Sequence, residues 1–214
     1  MATTRRYPHP RGDARAAIAA AARRLFAEKG YLGTSLKDLA AESDASITLI
    51  YRYFGSKAGL FDAALIEPGR EFVDEFVRSW DAEDARGSHE ALVGDLVRRL
   101  FAFVSDNRGL ILAWSEATRS SSDDVIGGGQ HGQGLRALSS ALLGRGGEPT
   151  LDATAAETVV ACTASLVVSA VLMEDVLFPP ATALADVETR IAAITRFAQA
   201  GARAELERSS ATHG

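Results

Sequence analysis

In SDASITLIYRYFGSKAGLF, residues 43–61, the aromatic side chains Tyr51, Tyr53 and Phe54 crowd two helical turns, Arg52 stands between the tyrosines, and Lys57 follows closely. Ser46 is a helix-capping residue placed just before ITLIYRYF, and Gly55 is a helix stop placed just after it. Ile50 and Phe54 are four residues apart, so they share one side of the helix and should pack against Leu39 and Phe26. That leaves Ile47, Thr48 and Tyr51 on the opposite side, flanked by Leu49, Arg52 and Tyr53. Taken alone, the segment is also compatible with an ordinary amphipathic core helix. Its neighbours separate the two readings.

Upstream, TSLKDLAAES (34–43) has Ser35 and Asp38 at capping-box spacing and Leu36, Leu39 and Ala40 as the inward face of a second short helix. Further back, ARAAIAAAARRLFAE (14–28) aligns Ile18, Ala21, Ala22, Leu25 and Phe26 in one stripe, with Asp13 as N-cap and Gly30 as the stop. Two short helices joined by a tight turn, the second opened by a serine cap, form the helix-turn-helix pattern, whose second helix lies in the DNA major groove. Tyrosine hydroxyls and a lysine at a helix N-terminus suit phosphate, because such contacts need reach and positive potential rather than base complementarity.

Downstream, Ser56 caps KAGLFDAALIEPGREFVDEFVRSW, which Pro68 and Gly69 should kink or split. Further helices are expected near 89–105, 109–120, 124–143, 152–176 and 185–208, separated by the loop-forming stretches DAEDARGS, SDNRG, GRGGEPT and LFPPAT. No alternating β-branched pattern is bounded by hairpin turns, so the fold class is all-α with about nine helices and no sheet. The expected division is a three-helix DNA-binding domain over 1–62 and a helical effector-binding and dimerisation domain over 63–214.

Charge follows the same division. Residues 1–60 hold ten basic and five acidic groups, a surplus of +5, while the whole 214-residue chain is at −5, which leaves −10 on the remainder. A basic N-terminal unit on an acidic body suits a polyanion at one end. The single cysteine, Cys162, cannot form an internal disulfide, and the four histidines, His9, His89, His131 and His213, lack metal-ligand spacing, so neither metal nor cofactor is expected. With no apolar run after the first arginines to serve as a signal peptide, a reducing cytoplasm is the expected compartment. The longest uncharged stretch, the sixteen residues Thr158–Met173, is short and polar for a bilayer span and reads as a buried helix. GGGQHG (127–132) satisfies G-x-G-x-x-G literally, but no strand precedes it, so it reads as a mobile loop or a loosened helix start rather than a dinucleotide site.

RLFAEKGYLGTSLKDLAAESDASITLIYRYFGSKAGLF (24–61) resembles the DNA-binding domain of TetR-family transcriptional regulators. The resemblance is carried by Phe26, Gly30, Thr34, Ser35, Leu39, Ala40, Ser46, Tyr51, Tyr53, Phe54, Ser56, Lys57 and Leu60. It implies a homodimeric, sequence-specific regulator, by default a repressor released from a palindromic double-stranded DNA operator when a small effector binds its C-terminal domain. It further implies that Thr34, Tyr51, Tyr53 and Lys57 match phosphate or groove contacts and that Ile47, Thr48 and Leu49 occupy the base-facing positions; Ser35 and Arg52 are further DNA-binding candidates, Arg52 on the side of the bases. Two departures stand out. Asp44 occupies the turn position where the family usually has glycine, a substitution aspartate tolerates. Ile47 and Thr48 stand where a basic or polar residue and a glycine are more usual, which favours readout of thymine methyls and DNA shape.

The arginines of the N-terminal arm, Arg5 and Arg6, add nonspecific attraction or reach a minor groove. TVVACTASLVVSAVL (158–172) is apolar on nearly every face, so the helices at 152–176 and 185–208 are the expected dimer interface, and a central core helix is the alternative. Phe101, Phe103, Leu110, Trp114, Val125 and Met173 are the candidate walls of an apolar or aromatic effector pocket. A break at Pro68 would act as a hinge between the two domains. The alternatives to a regulator are a nonspecific nucleoid-type DNA-binding protein and an all-α enzyme.

Overall fold

The computed structural model describes residues 11–82, 88–120, 131–143 and 151–212, and among these there is no strand. The helices are α1 (Arg11–Gly33), α2 (Leu36–Glu42), α3 (Ile47–Phe54), α4 (Lys57–Phe61), α5 (Glu67–Ala82), α6 (His89–Asp106), α7 (Arg108–Ser120), α8 (His131–Leu143), α9 (Ala153–Leu172), α10 (Glu174–Leu177) and α11 (Val187–Thr212), with a π-helical turn at Asp62–Ile66 between α4 and α5. The expected all-α architecture holds. Among the described residues the helix count exceeds nine because two expected helices are each divided.

The chain packs as two compact units. The first contains the described residues up to Pro68 together with α7 from Gly109 onward, and the second contains Gly69–Arg108 and the described residues after Gly129. Packing therefore does not follow a single cut near residue 62. Leu110 and Ala113 of α7 are buried among Ile18, Leu25, Phe26, Leu39, Ile50, Leu60 and Phe61, with Ile111 and Trp114 packed against the same cluster. In this first unit α1 is interrupted where the glycine stop was expected: Gly30 takes φ 73 and ψ 170, outside helical geometry.

The kink expected at Pro68 takes another form. Glu67 N–H donates to Asp62 O five residues back, which widens the helix just before the proline. Proline has no N–H to give, and its ring would collide with the carbonyl four residues earlier, here Ala64. The wider turn admits the ring, and the chain then continues as α5 without a split.

In the second unit, α9 lies against α6, α8 and α11, and α11 also packs along α6. Gln199 Nε2 donates to Glu90 O at 2.8 Å and Arg203 Nε to Glu90 Oε1 at 3.0 Å, which ties α11 to the start of α6. Phe72 of α5 stacks on Phe103 of α6 with ring centroids 4.9 Å apart, and Trp80 Nε1 donates to Asp95 Oδ2 at 2.8 Å. The stretch expected to be helical over 152–176 breaks at Met173 (φ −107), where α9 ends and the one-turn α10 begins. By length and composition α9 could cross a membrane, yet Ala155, Ala156, Val159, Val160, Thr163, Val167, Ala170 and Val171 are buried inside the unit.

Candidate nucleic-acid interface

Local hydrogen bonding fixes the helix pair and the turn between them. Asp38 N–H donates to Ser35 Oγ at 3.1 Å and Ser35 N–H donates to Asp38 Oδ2 at 3.2 Å, completing the capping box that opens α2. The Ser35 hydroxyl, which donates to Asp38 Oδ2 at 2.7 Å, and then the Ser35 N–H favour the ionised form and hold the Asp38 carboxyl below its ordinary value. Ser43 closes the helix by donating its hydroxyl to Leu39 O at 2.6 Å. Asp44 then adopts φ 52, the left-handed conformation that glycine would take most easily, and Ala45 N–H returns to Ala40 O at 3.1 Å. Ser46 Oγ accepts Leu49 N–H at 3.1 Å and starts α3.

α3 sorts its residues by face. Ile50 is fully buried, and Leu49, Tyr53 and Phe54 are half-buried against the same core. Burying such an apolar side chain contributes about 1.5–3 kcal/mol, so this face anchors the helix. Thr48, Tyr51 and Arg52 are exposed and Ile47 is half-buried, so the free face offers a hydroxyl, a phenol, a guanidinium and part of a branched aliphatic. The Arg52 guanidinium lies 5.8 Å from the centre of the Tyr53 ring.

Gly55 N–H donates to Tyr51 O at 2.8 Å, and Ser56 Oγ then accepts Gly59 N–H at 2.9 Å to begin α4. Gly59 has to be glycine here, because a Cβ at that position would sit 2.1 Å from Phe54 O. This close approach fixes Lys57 beside the end of α3. Its ammonium lies 4.4 Å from the centre of the Tyr31 ring, and burial pushes its pKa below the ordinary lysine value.

A model of the family "Bacterial regulatory proteins, tetR family" matches residues 18–64, the same stretch that carries the capping box, the turn, α3 and Lys57. Over that stretch the chain is similar to the TetR family. An HTH-type transcriptional repressor of Mycobacterium tuberculosis is 33% identical to this chain over 109 residues, and an HTH-type regulator of Mycobacterium bovis matches equally. The match covers 51% of the chain and spans about half the length of these relatives, 50% of each. A TetR-family regulator from Streptomyces coelicolor is similar over 94% of the chain and 99% of its own, at 25% identity and a TM-score of 0.56. The transcriptional regulator FadR from Bacillus subtilis, in complex with stearoyl-CoA, shares the fold at 17% identity and a TM-score of 0.65, covering 87% of the chain and 98% of its own.

One residue expected at the DNA surface is turned inward. Thr34 is 1% exposed, and its hydroxyl is within bonding distance of Gly30 O at 2.8 Å and Leu25 O at 3.1 Å. The side chain is thus turned inward, onto carbonyls of α1 on either side of Phe26 and up to the break at Gly30. Ser35 is exposed, but its hydroxyl is engaged in the capping box. Leu49 and Tyr53 are shared between the core and the surface.

The six residues suggested for an effector pocket are dispersed. Leu110 is committed to the core of the first unit and Trp114 packs on it. Phe101 is buried and Phe103 is stacked on Phe72 in the second unit, while Met173 is half-exposed where α9 ends. Val125 lies outside the described residues. The sequence reading missed Phe72, Phe76 and Trp80, whose four-residue spacing along α5 produces the aromatic row with Phe103. It also missed Tyr31, which the lysine two residues past Gly55 signals only once the fold brings them together. Among the described residues no group of His, Cys, Asp and Glu could hold a metal.

Proposed function

We propose that this chain is a TetR-family DNA-binding transcriptional repressor that reads a palindromic operator as a homodimer. The observation that carries the reading is the sorting of α3, with Ile50 and Phe54 holding the helix down while Thr48, Tyr51 and Arg52 stay free beside Lys57. Tyr51, Arg52 and Lys57 supply phosphate contacts, and Ile47 and Thr48, helped by the exposed part of Leu49, supply base contacts weighted toward thymine methyls. Binding to the chain's own upstream DNA and to random DNA, measured across salt concentrations, tests the proposal. A regulator prefers its own fragment by about 10³-fold or more, whereas a nucleoid-type protein binds both alike and an enzyme binds neither. Exchanging A·T pairs for G·C in the protected half-site should weaken binding, and indifference to that exchange would sink the thymine-methyl reading.

Dimerisation through α9 and α11 is supported by an apolar face those helices leave uncovered in the protomer. Phe197 is 69% exposed, and beside it Cys162, Leu166 and Gly201 line a shallow depression. A second copy related by a two-fold axis would bury this face. Sedimentation of the wild type as a dimer and of Phe197→Asp as a monomer is the expected outcome. The effector is proposed to be small and apolar or aromatic, and the Phe72–Phe103 stack is the surface that most favours an aromatic group.

A further inference from the structure

Two exposed arginines of the first unit are paired with carboxylates, Arg15 with Glu67 at 3.3 Å and Arg24 with Glu42. Lys57 is treated differently. Among the described residues it makes no ion pair, and its ammonium rests on the face of Tyr31 at 4.4 Å from the ring centre. That ring is itself held in place. It stacks on Phe26 at 5.8 Å and meets Phe61 edge-on at 5.3 Å, and both of those rings are fully buried. The break at Gly30 immediately before Tyr31 turns the chain so that the ring closes over this pair.

We infer that Tyr31 is a positioning residue for Lys57: its ring face fixes the ammonium next to α3 without neutralising it, so that a DNA phosphate completes the site. The inference rests on reading α2 and α3 as a DNA-binding device. A carboxylate in Tyr31's place would cancel the charge and occupy N–H donors that the phosphate needs. An aromatic face attracts the cation through its quadrupole and leaves donors free. It also restrains a long side chain whose freedom would otherwise be lost on binding, and it covers part of the ammonium that would otherwise have to be desolvated. The lowered pKa of Lys57 agrees with that partial loss of water. The phenolic hydroxyl is not part of the argument, so phenylalanine should serve equally well.

The test is a double-mutant cycle on affinity for the chain's own upstream DNA, with Tyr31→Phe, Tyr31→Leu, Lys57→Ala and the Tyr31→Leu/Lys57→Ala pair. Tyr31→Phe should stay within about twofold of wild type and Tyr31→Leu should weaken binding about 3- to 10-fold. Lys57→Ala should lower the slope of log affinity against log salt by about one, and Tyr31→Leu should then add nothing. Equal loss from Tyr31→Leu with and without Lys57, or no loss at all, would overturn the inference while leaving the DNA-binding reading intact. Failure of the wild type to prefer its own fragment would overturn both. A measurement on the free wild-type protein guards against a misfolded variant. With lysines ¹³C-methylated, the Lys57 signal should be displaced by the ring current of Tyr31, and a Lys57 signal at the position of a free lysine would overturn the inference.

Discussion

α3 and α9 are both apolar helices, yet they use that character in opposite ways. In α3 the apolar side chains are segregated: one residue, Ile50, is fully buried, and serine and glycine caps fix both ends, so the remaining face is free for a ligand. In α9 the apolar residues are spread around the helix. Eight positions are buried inside the unit, while Cys162 remains exposed on another side. Where chemistry is sorted by face, the buried side of a helix can be read from spacing alone. Where it is not, the packing partners must be known first.

The contrast can be broken most severely at a glycine. Gly59→Val would push a side chain into Phe54 O and should unfold the first unit, a loss of at least about 3 kcal/mol seen as a large fall in Tm. Phe197→Asp on the exposed face of α11 should leave protomer folding nearly unchanged and act only on assembly. If both variants lowered Tm alike, the distinction between the two regions would be lost. Next in size, Ile50→Ala should cost about 2–4 kcal/mol in chemical denaturation because it opens a cavity beneath α3. A smaller effect is expected at the turn. Asp44→Val should destabilise by about 1–2 kcal/mol, since a branched residue resists φ 52, whereas Asp44→Gly should stay within about 1 kcal/mol of wild type.

Acid provides the gentlest probe, and it acts on both regions alike. Asp38, which caps α2, and Asp186, which precedes α11, are each held below the ordinary 3.8 by hydrogen bonds, from Ser35 and from Thr189 respectively. A depressed carboxyl pKa stabilises the fold above 3.8, and that contribution disappears as pH falls through the lower folded value. Circular dichroism from pH 5 to about pH 2 should therefore show the wild type losing helix only below 3.8, with Asp38→Ala lacking the part due to α2 at every pH in the range.

The first unit was largely legible because its signals are local. Ser35 with Asp38, Ser46 before α3 and Gly30 after Phe26 act within a few residues, and Asp44 takes the left-handed turn that its place in the pattern requires. Thr34 misled because a hydroxyl beside a helix end can face outward or cap the carbonyls behind it, and sequence does not say which. Pro68 announced a disturbance without its form, since a kink and a π turn both accommodate the ring. Periodicity identified α7 as a helix, but its packing on α1, α2 and α3 residues depends on contacts far apart in sequence. The effector walls were illegible for the same reason: Phe101, Leu110 and Met173 are equally apolar on paper and end up in a core, in another core and at a half-exposed helix end.

The central claim is that the free face of α3 reads bases while Lys57 grips phosphate. Anisotropy titrations of Thr48→Ala and Lys57→Ala against the chain's own upstream DNA and against random DNA at one salt concentration test it directly. Thr48→Ala should weaken binding to the chosen fragment by about tenfold and leave random DNA unchanged, while Lys57→Ala should weaken both by the same factor. If Thr48→Ala reduced both affinities equally, or reduced neither, α3 would not be the reading element and the account would be wrong.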